Sequence, residues 1–116
     1  MSGQFSSLDE FWPFYLARHL NPTNRRLHFA GTTLALILAA DALVRRAPAL
    51  LAAALAGAYG LAWIGHFFFE RNHPATFRHP LLSLRADFRM YRLMWMAELD
   101  KEIRTRAAGI RAFRAP

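Results

Sequence analysis

Residues 47–69 read APALLAAALAGAYGLAWIGHFFF, and apart from the Tyr59 phenol the only ionisable side chain among those twenty-three is His66. A helix rises about 1.5 Å per residue, so roughly 20 residues cross the ~30 Å apolar core of a bilayer. The stretch is long enough to do so. A soluble helix of that length would show a polar face, and this one has none. On its N-terminal side, Arg45-Arg46-Ala47-Pro48 reads as a charged hinge. Before the hinge, residues 27–44 form an 18-residue apolar segment broken only by His28 near its start and Asp41 near its end. Two such segments around a short hinge predict a tight antiparallel helical hairpin, with apolar helices at about 27–44 and 47–69. Ala52, Ala56 and Gly60 recur every fourth residue, a spacing of small side chains that lets helix backbones approach closely in lipid. Asp41 and Arg45 stand one turn apart and are expected to pair.

Outward from the hairpin, Ser7-Leu-Asp-Glu10 fits a capping box, predicting a short helix from about Leu8 to His19. Its Phe11, Trp12, Phe14, Tyr15 and Leu16 form an aromatic and aliphatic set suited to the boundary between water and lipid. Asn21-Pro-Thr-Asn24 reads as a turn, with both Asn side chains available as caps. Residues 70–80, bracketed by Pro74 and Pro80, read as a loop. From Leu81 to about Ala108 helix formers return. Leu84, Phe88, Tyr91 and Trp95 lie on one side and Arg85, Arg89 and Arg92 on another, the pattern of a basic amphipathic helix in the headgroup plane. The expectation is a single all-α domain over residues 1–116: a membrane hairpin, an N-terminal short helix and a C-terminal amphipathic basic helix.

The 116-residue composition supports this reading. Hydrophobic residues make up 54 %, which excludes a disordered chain, although the mean hydropathy of +0.09 is low for a membrane protein. With no cysteine, disulfides, Cys-type zinc sites, iron–sulfur clusters and thiol catalysis are excluded. Fifteen basic residues against eight acidic give a net charge of +7, and all the basic residues but Lys101 are arginine. Such a charge admits nucleic acid or an anionic membrane surface as partner. The N-terminus lacks a basic region ahead of an early apolar run, so a signal peptide is not expected. Arg18, Arg25, Arg26, Arg71 and Arg78 flank the end of the hairpin that bears the termini, whereas Arg45 and Arg46 flank the hinge. The positive-inside rule then puts both termini on the cytoplasmic side.

The histidines carry the chemistry. His28 begins one apolar helix and His66 ends the other, so an antiparallel hairpin sets them at the same end. The turn at residues 21–24 returns His19 there, and His73 and His79 follow in the loop that leaves it. A polar side chain in an apolar segment is costly and ordinarily faces the bundle with a partner. Three imidazoles converging are best partnered by a metal ion, and imidazole suits iron, zinc, copper and nickel. Glu70 stands one turn after His66. It is a candidate ligand, an acceptor that orients an imidazole, or a partner for Arg71 or Arg25. His73 and His79 are expected in solvent or among headgroups. No Gly-x-Ser-x-Gly, phosphate loop or His-Glu-x-x-His motif offers a competing site.

His19-Leu-Asn-Pro-Thr-Asn24, His28 with Gly31-Thr32, Trp63-Ile-Gly-His66, Phe69-Glu70 and Pro74-Ala75 together resemble a family of small membrane proteins. Its characterised fungal member is an endoplasmic-reticulum dioxygenase of 2-hydroxy fatty acids. The resemblance runs from about Phe5 to Trp95. It implies iron(II)-dependent α-oxidation, in which O2 is used to shorten a long-chain 2-hydroxy fatty acid by one carbon. It carries the family's histidines onto His19, His28 and His66 as catalytic metal ligands, and gives low weight to His73 and His79. It places Asn24, Arg25, Arg26 and Glu70 around the metal or the substrate carboxylate, with the acyl chain along the hairpin. The arginine and alanine usage looks bacterial, so the expected location is a bacterial inner membrane with the site on the cytoplasmic side. Three other readings make different demands: haem held by two facing histidines, a non-enzymatic membrane protein with structural histidines, and nucleic-acid binding through the Arg85, Arg89 and Arg92 stripe. A homo-oligomer is also open, since the small-residue face serves a partner chain as easily as its own hairpin.

Overall fold

The computed structural model describes residues 5–114. It is all-helical: α1 (Leu8–Ala17), α2 (Pro22–Arg45), α3 (Pro48–Ile64), α4 (Pro80–Trp95), α5 (Leu99–Thr105) and α6 (Ala107–Arg114). No strand occurs among the described residues. A π-helical turn at Gly65–Glu70 continues α3, and a 3-10 turn at Ala75–Phe77 precedes α4. The chain divides into two compact units, one made of residues 21–71 and the other of residues 1–20 with 72–116.

The first of these units is the expected hairpin. The connection between α2 and α3 is tight, with Arg46 in the left-handed region at φ 52° and Pro48 opening the next helix. Asp41 and Arg45 do pair, Nε to Oδ1 at 2.7 Å, on the outside of this end. The two helices meet along Gly31, Leu34 and Ala42 on one side and Ala54, Gly57 and Ala58 on the other. A methyl group at Gly31 would stand 3.1 Å from the Ala58 carbonyl oxygen, and one at Gly57 would stand 3.1 Å from Leu34 Cδ2. The seam therefore follows residues 54, 57 and 58. Ala52, Ala56 and Gly60, a small-residue face that the sequence offers equally to the hairpin or to a partner chain, are exposed on the far side, and Gly60 has open space beside it. Both helices are long and apolar enough to cross a membrane. Most of their large side chains face outward, Leu43 and Val44 being 77 % and 83 % exposed.

Where residues 21–24 were expected to form a turn, they begin α2. Asn21 is its cap, the side-chain oxygen accepting from the Thr23 and Asn24 N–H groups at 2.9 and 3.1 Å, and Pro22 fills the first helical position, where no N–H is needed. Asn24 is inside the helix and buried, and does not cap. His28 consequently lies nearly two turns into α2.

The other unit has its own core: Phe11, Trp12, Tyr15 and Leu16 of α1 against Ala86 and Met90 of α4, Leu99 of α5 and Ile110 of α6. Four residues expected at the water–lipid boundary are thus interior, because α1 has partners on that side. Ser7 caps α1 through Glu10 N at 3.2 Å, while the Glu10 carboxylate reaches Ser6. The helix expected over residues 81–108 is three helices. Met96-Ala97-Glu98 breaks it, with Ala97 at φ 56°, and α5 and α6 fold back so that Leu99 and Ile110 enter the core. Around α4, Ser83, Ala86 and Met90 face inward, while Leu84, Arg85, Phe88, Arg92 and Trp95 are exposed.

Candidate metal centre

At the end of the hairpin opposite the 46–47 connection, α2 and the π turn come into close contact. Gly65 permits this: a methyl group there would lie 2.0 Å from Asn24 Oδ1 and 3.2 Å from Asn24 Cα. Directly after Gly65 the backbone takes its π turn, closed by Arg71 N–H donating to the His66 carbonyl. Single π turns inside helices are frequent at functional sites. This one carries His66 and Glu70 on the end facing α2.

The imidazoles of His28 and His66 meet edge to face, with ring centroids 4.9 Å apart. His28 is held from behind. Its Nδ1 lies 3.0 Å from the Asn24 carbonyl oxygen. A carbonyl can only accept, so Nδ1 carries the proton and Nε2 keeps its lone pair. Asn24 is fixed in turn by Glu70, whose Oε1 accepts from Asn24 Nδ2 at 3.1 Å and from the Asn21 backbone N–H at 2.8 Å. Asn21 Nδ2 donates to the Phe69 carbonyl at 3.2 Å. Glu70 therefore clasps the two strands of the hairpin together, and through Asn24 it fixes the carbonyl on which His28 rests.

His19 uses the same device. Its Nδ1 lies 2.6 Å from the Tyr15 carbonyl oxygen, so Nδ1 carries the proton and Nε2 the lone pair, and its ring stacks on Tyr15 at 3.9 Å between centroids and 18° between planes. His19, His28 and His66 are all buried. Each offers a ring nitrogen, and those nitrogens lie within 4.8 Å of one another; among the described residues this is the group able to hold a metal ion. Convergent imidazoles tied at Nδ1 to backbone carbonyls are the usual preparation for metal binding, because the second bond fixes both the ring orientation and the tautomer. The donor set fits a borderline transition metal such as iron(II).

The remaining candidates are dispersed. His73 is exposed, as expected. His79, also expected in solvent or headgroups, is buried instead, its ring 5.2–6.0 Å from those of Phe5, Phe11 and Phe14, because α1 closes over it. Arg25 is half-buried and Arg26 exposed in the first turns of α2. Sequence reasoning placed Asn24 beside the site but did not identify its carbonyl as the support of His28, nor Tyr15 behind His19, nor the part played by Gly65. Of these only Gly65 left a visible sign, a glycine placed directly before the histidine of an apolar helix.

No curated protein and no solved structure matches the chain. A sequence model of the family described as 2-hydroxy-palmitic acid dioxygenase Mpo1-like matches residues 5–99, a span that takes in all three histidines, Asn24, Gly65 and Glu70. The chain belongs to the 2-hydroxy-palmitic acid dioxygenase Mpo1-like family.

Proposed function

We propose that the protein is a membrane-bound, iron(II)-dependent dioxygenase that shortens a long-chain 2-hydroxy fatty acid by one carbon, with His19, His28 and His66 as the metal ligands. The observation carrying this reading is the convergence of three buried imidazoles whose ring nitrogens lie within 4.8 Å of one another, two of them tied at Nδ1 to carbonyls so that Nε2 keeps its lone pair. Family membership supplies the substrate class and the oxidant.

When bound, iron(II) supplies the one-electron chemistry that lets O2 react with a closed-shell organic acid. The protein's own groups do the rest. Three neutral imidazoles bring no charge to the site, so a substrate carboxylate is welcome there as the compensating anion. Arg25 and Arg26, one turn and less before His28, add positive potential on its approach. Glu70 and Asn24 hold the His28 ring still. The outward apolar faces of α2 and α3 suit lipid beside the site, and an acyl chain laid along them would add no exposed apolar surface. Both termini and the histidine cluster are assigned to the cytoplasmic side of a bacterial inner membrane, on the arginine count at the two ends of the hairpin.

The test is oxygen consumption by the purified, iron-loaded protein in detergent or nanodiscs with 2-hydroxypalmitate. The expected result is O2 uptake with formation of the acid one carbon shorter, abolished in His28→Ala and His66→Ala and absent with unsubstituted palmitate. If both variants turn over at the wild-type rate, the histidines are structural and the assignment is wrong. A Soret band in the active protein would replace it with the haem reading.

A further inference from the structure

Glu70 and Asn24 account for the setting of His28, but His19 owes nothing to them within its own unit. Its ring rests on Tyr15, which is fully buried, and Tyr15 also stacks with Trp12 at 5.6 Å and 11°. Residues 12, 15 and 19 follow one face of α1 and its extension, so the three rings form a continuous pile with the imidazole at the end. Two acidic side chains from other helices anchor the pile. The Tyr15 hydroxyl donates to Asp87 Oδ1 of α4, and Trp12 Nε1 donates to Glu102 Oε2 of α5 at 2.7 Å. Asp87 is the only acidic residue between positions 71 and 97, in a helix otherwise rich in arginine. It faces the Tyr15 hydroxyl, although Arg85 and Arg89 stand two residues away on either side.

We propose that Asp87 and Tyr15 are a positioning pair for the metal centre: the carboxyl of α4 fixes the Tyr15 ring, and the stacked ring sets the plane in which His19 presents Nε2. The inference rests on the metal reading above. Neither residue touches metal or substrate. The Nδ1 bond to the Tyr15 carbonyl fixes the tautomer and holds one edge of the imidazole, but the stack lets the ring tilt about that bond, because ring–ring attraction is broad in angle. A hydrogen bond at the far edge of the phenol ring removes that freedom.

The probe is Co(II), titrated into the full-length protein in detergent and followed by its ligand-field absorption, which reports affinity and ligand geometry without turnover. Tyr15→Phe keeps the stack and loses the hydroxyl. It is expected to bind Co(II) roughly 10–100-fold more weakly, the usual range for losing a partner behind a metal ligand, with a shifted spectrum. Asp87→Ala should match it, whereas Asp87→Asn, which retains an acceptor oxygen, should bind as the wild type. Since Asp87→Ala leaves a buried hydroxyl without an acceptor and risks poor folding, the double variant Tyr15→Phe/Asp87→Leu provides the control. Replacing both partners by apolar groups restores melting temperature but leaves Co(II) binding as weak as in Tyr15→Phe. Wild-type affinity and spectrum in Tyr15→Phe and in the double variant, with binding still lost in His19→Ala, would overturn the pairing and leave the metal centre standing. Equal Co(II) binding by wild type and His19→Ala would remove the metal reading, and this inference with it.

Discussion

A methyl group at Gly65 would stand 2.0 Å from Asn24 Oδ1, and the neighbouring Asn24 Cα, at 3.2 Å, leaves that side chain little room to retreat. Gly65→Ala is therefore expected to open the polar end of the hairpin, with the ~1–3 kcal/mol loss typical of overpacking and lower metal affinity. Gly60→Ala, with open space at its Cβ, is expected to be neutral or to raise stability by up to ~1 kcal/mol through helix propensity. Thermal melting of the two variants in detergent checks the contrast, and equal melting temperatures would contradict it. Asp87 yields a second prediction. Loss of water pushes its carboxyl up to about 7, against the opposing effect of the Tyr15 hydroxyl. Between about pH 4 and pH 7 the folded chain holds a proton that the unfolded chain releases, so stability falls as pH rises through that window and levels off above it. Asp87→Asn should flatten the slope, and equal slopes would show that the carboxyl titrates normally. At single positions, the three histidines were legible because each is a polar exception in an apolar or aromatic setting. Tyr15 and Asp87 were not, because an aromatic and an acid on helices look ordinary until their partners are known; Asn24 was legible as a neighbour of the site, though not as the support of His28.

Among the elements, hydrophobic patterning located both long helices and the connection between them, since apolar run length and Pro48 leave few alternatives. It left the seam undecided. Small residues at every fourth position mark a face able to approach another helix without saying which helix, and here 54, 57 and 58 meet α2 while 52, 56 and 60 do not. The Asn-Pro pair was read as a turn for a sound reason, the restraint Pro22 puts on Asn21, yet that restraint is also what a cap requires. The break at Met96-Ala97-Glu98 carries neither Gly nor Pro; it is imposed by the burial of Leu99 and Ile110, which local sequence does not reveal. The Glu70 clasp predicts an effect at this level. Glu70→Ala removes the acceptor for Asn21 N–H and Asn24 Nδ2, and amide exchange in the first two turns of α2 should quicken while the 46–47 end stays protected. Glu70→Gln, which retains an acceptor oxygen, should exchange more slowly than Glu70→Ala. Uniform exchange along α2 in all three proteins would mean that the clasp is dispensable.

For the molecule as a whole, an all-helical chain with two long apolar helices was legible from composition and run length alone. That α1 serves as core for α4, α5 and α6 was not, because an aromatic helix suits a membrane boundary and a protein interior equally well. The proposed orientation is open to direct test in a chain without cysteine. Arg46→Cys should react with a membrane-impermeant maleimide added outside spheroplasts, and Ala112→Cys only after lysis; the reverse pattern would invert the topology. Everything functional depends on three imidazoles sharing one ion. Elemental analysis of the purified wild type and of His19→Ala, His28→Ala and His66→Ala, each produced with iron supplied, tests this most directly. The account predicts one transition-metal ion per wild-type chain and a clear loss in each variant. Wild-type protein free of metal, or variants that retain it in full, would contradict it.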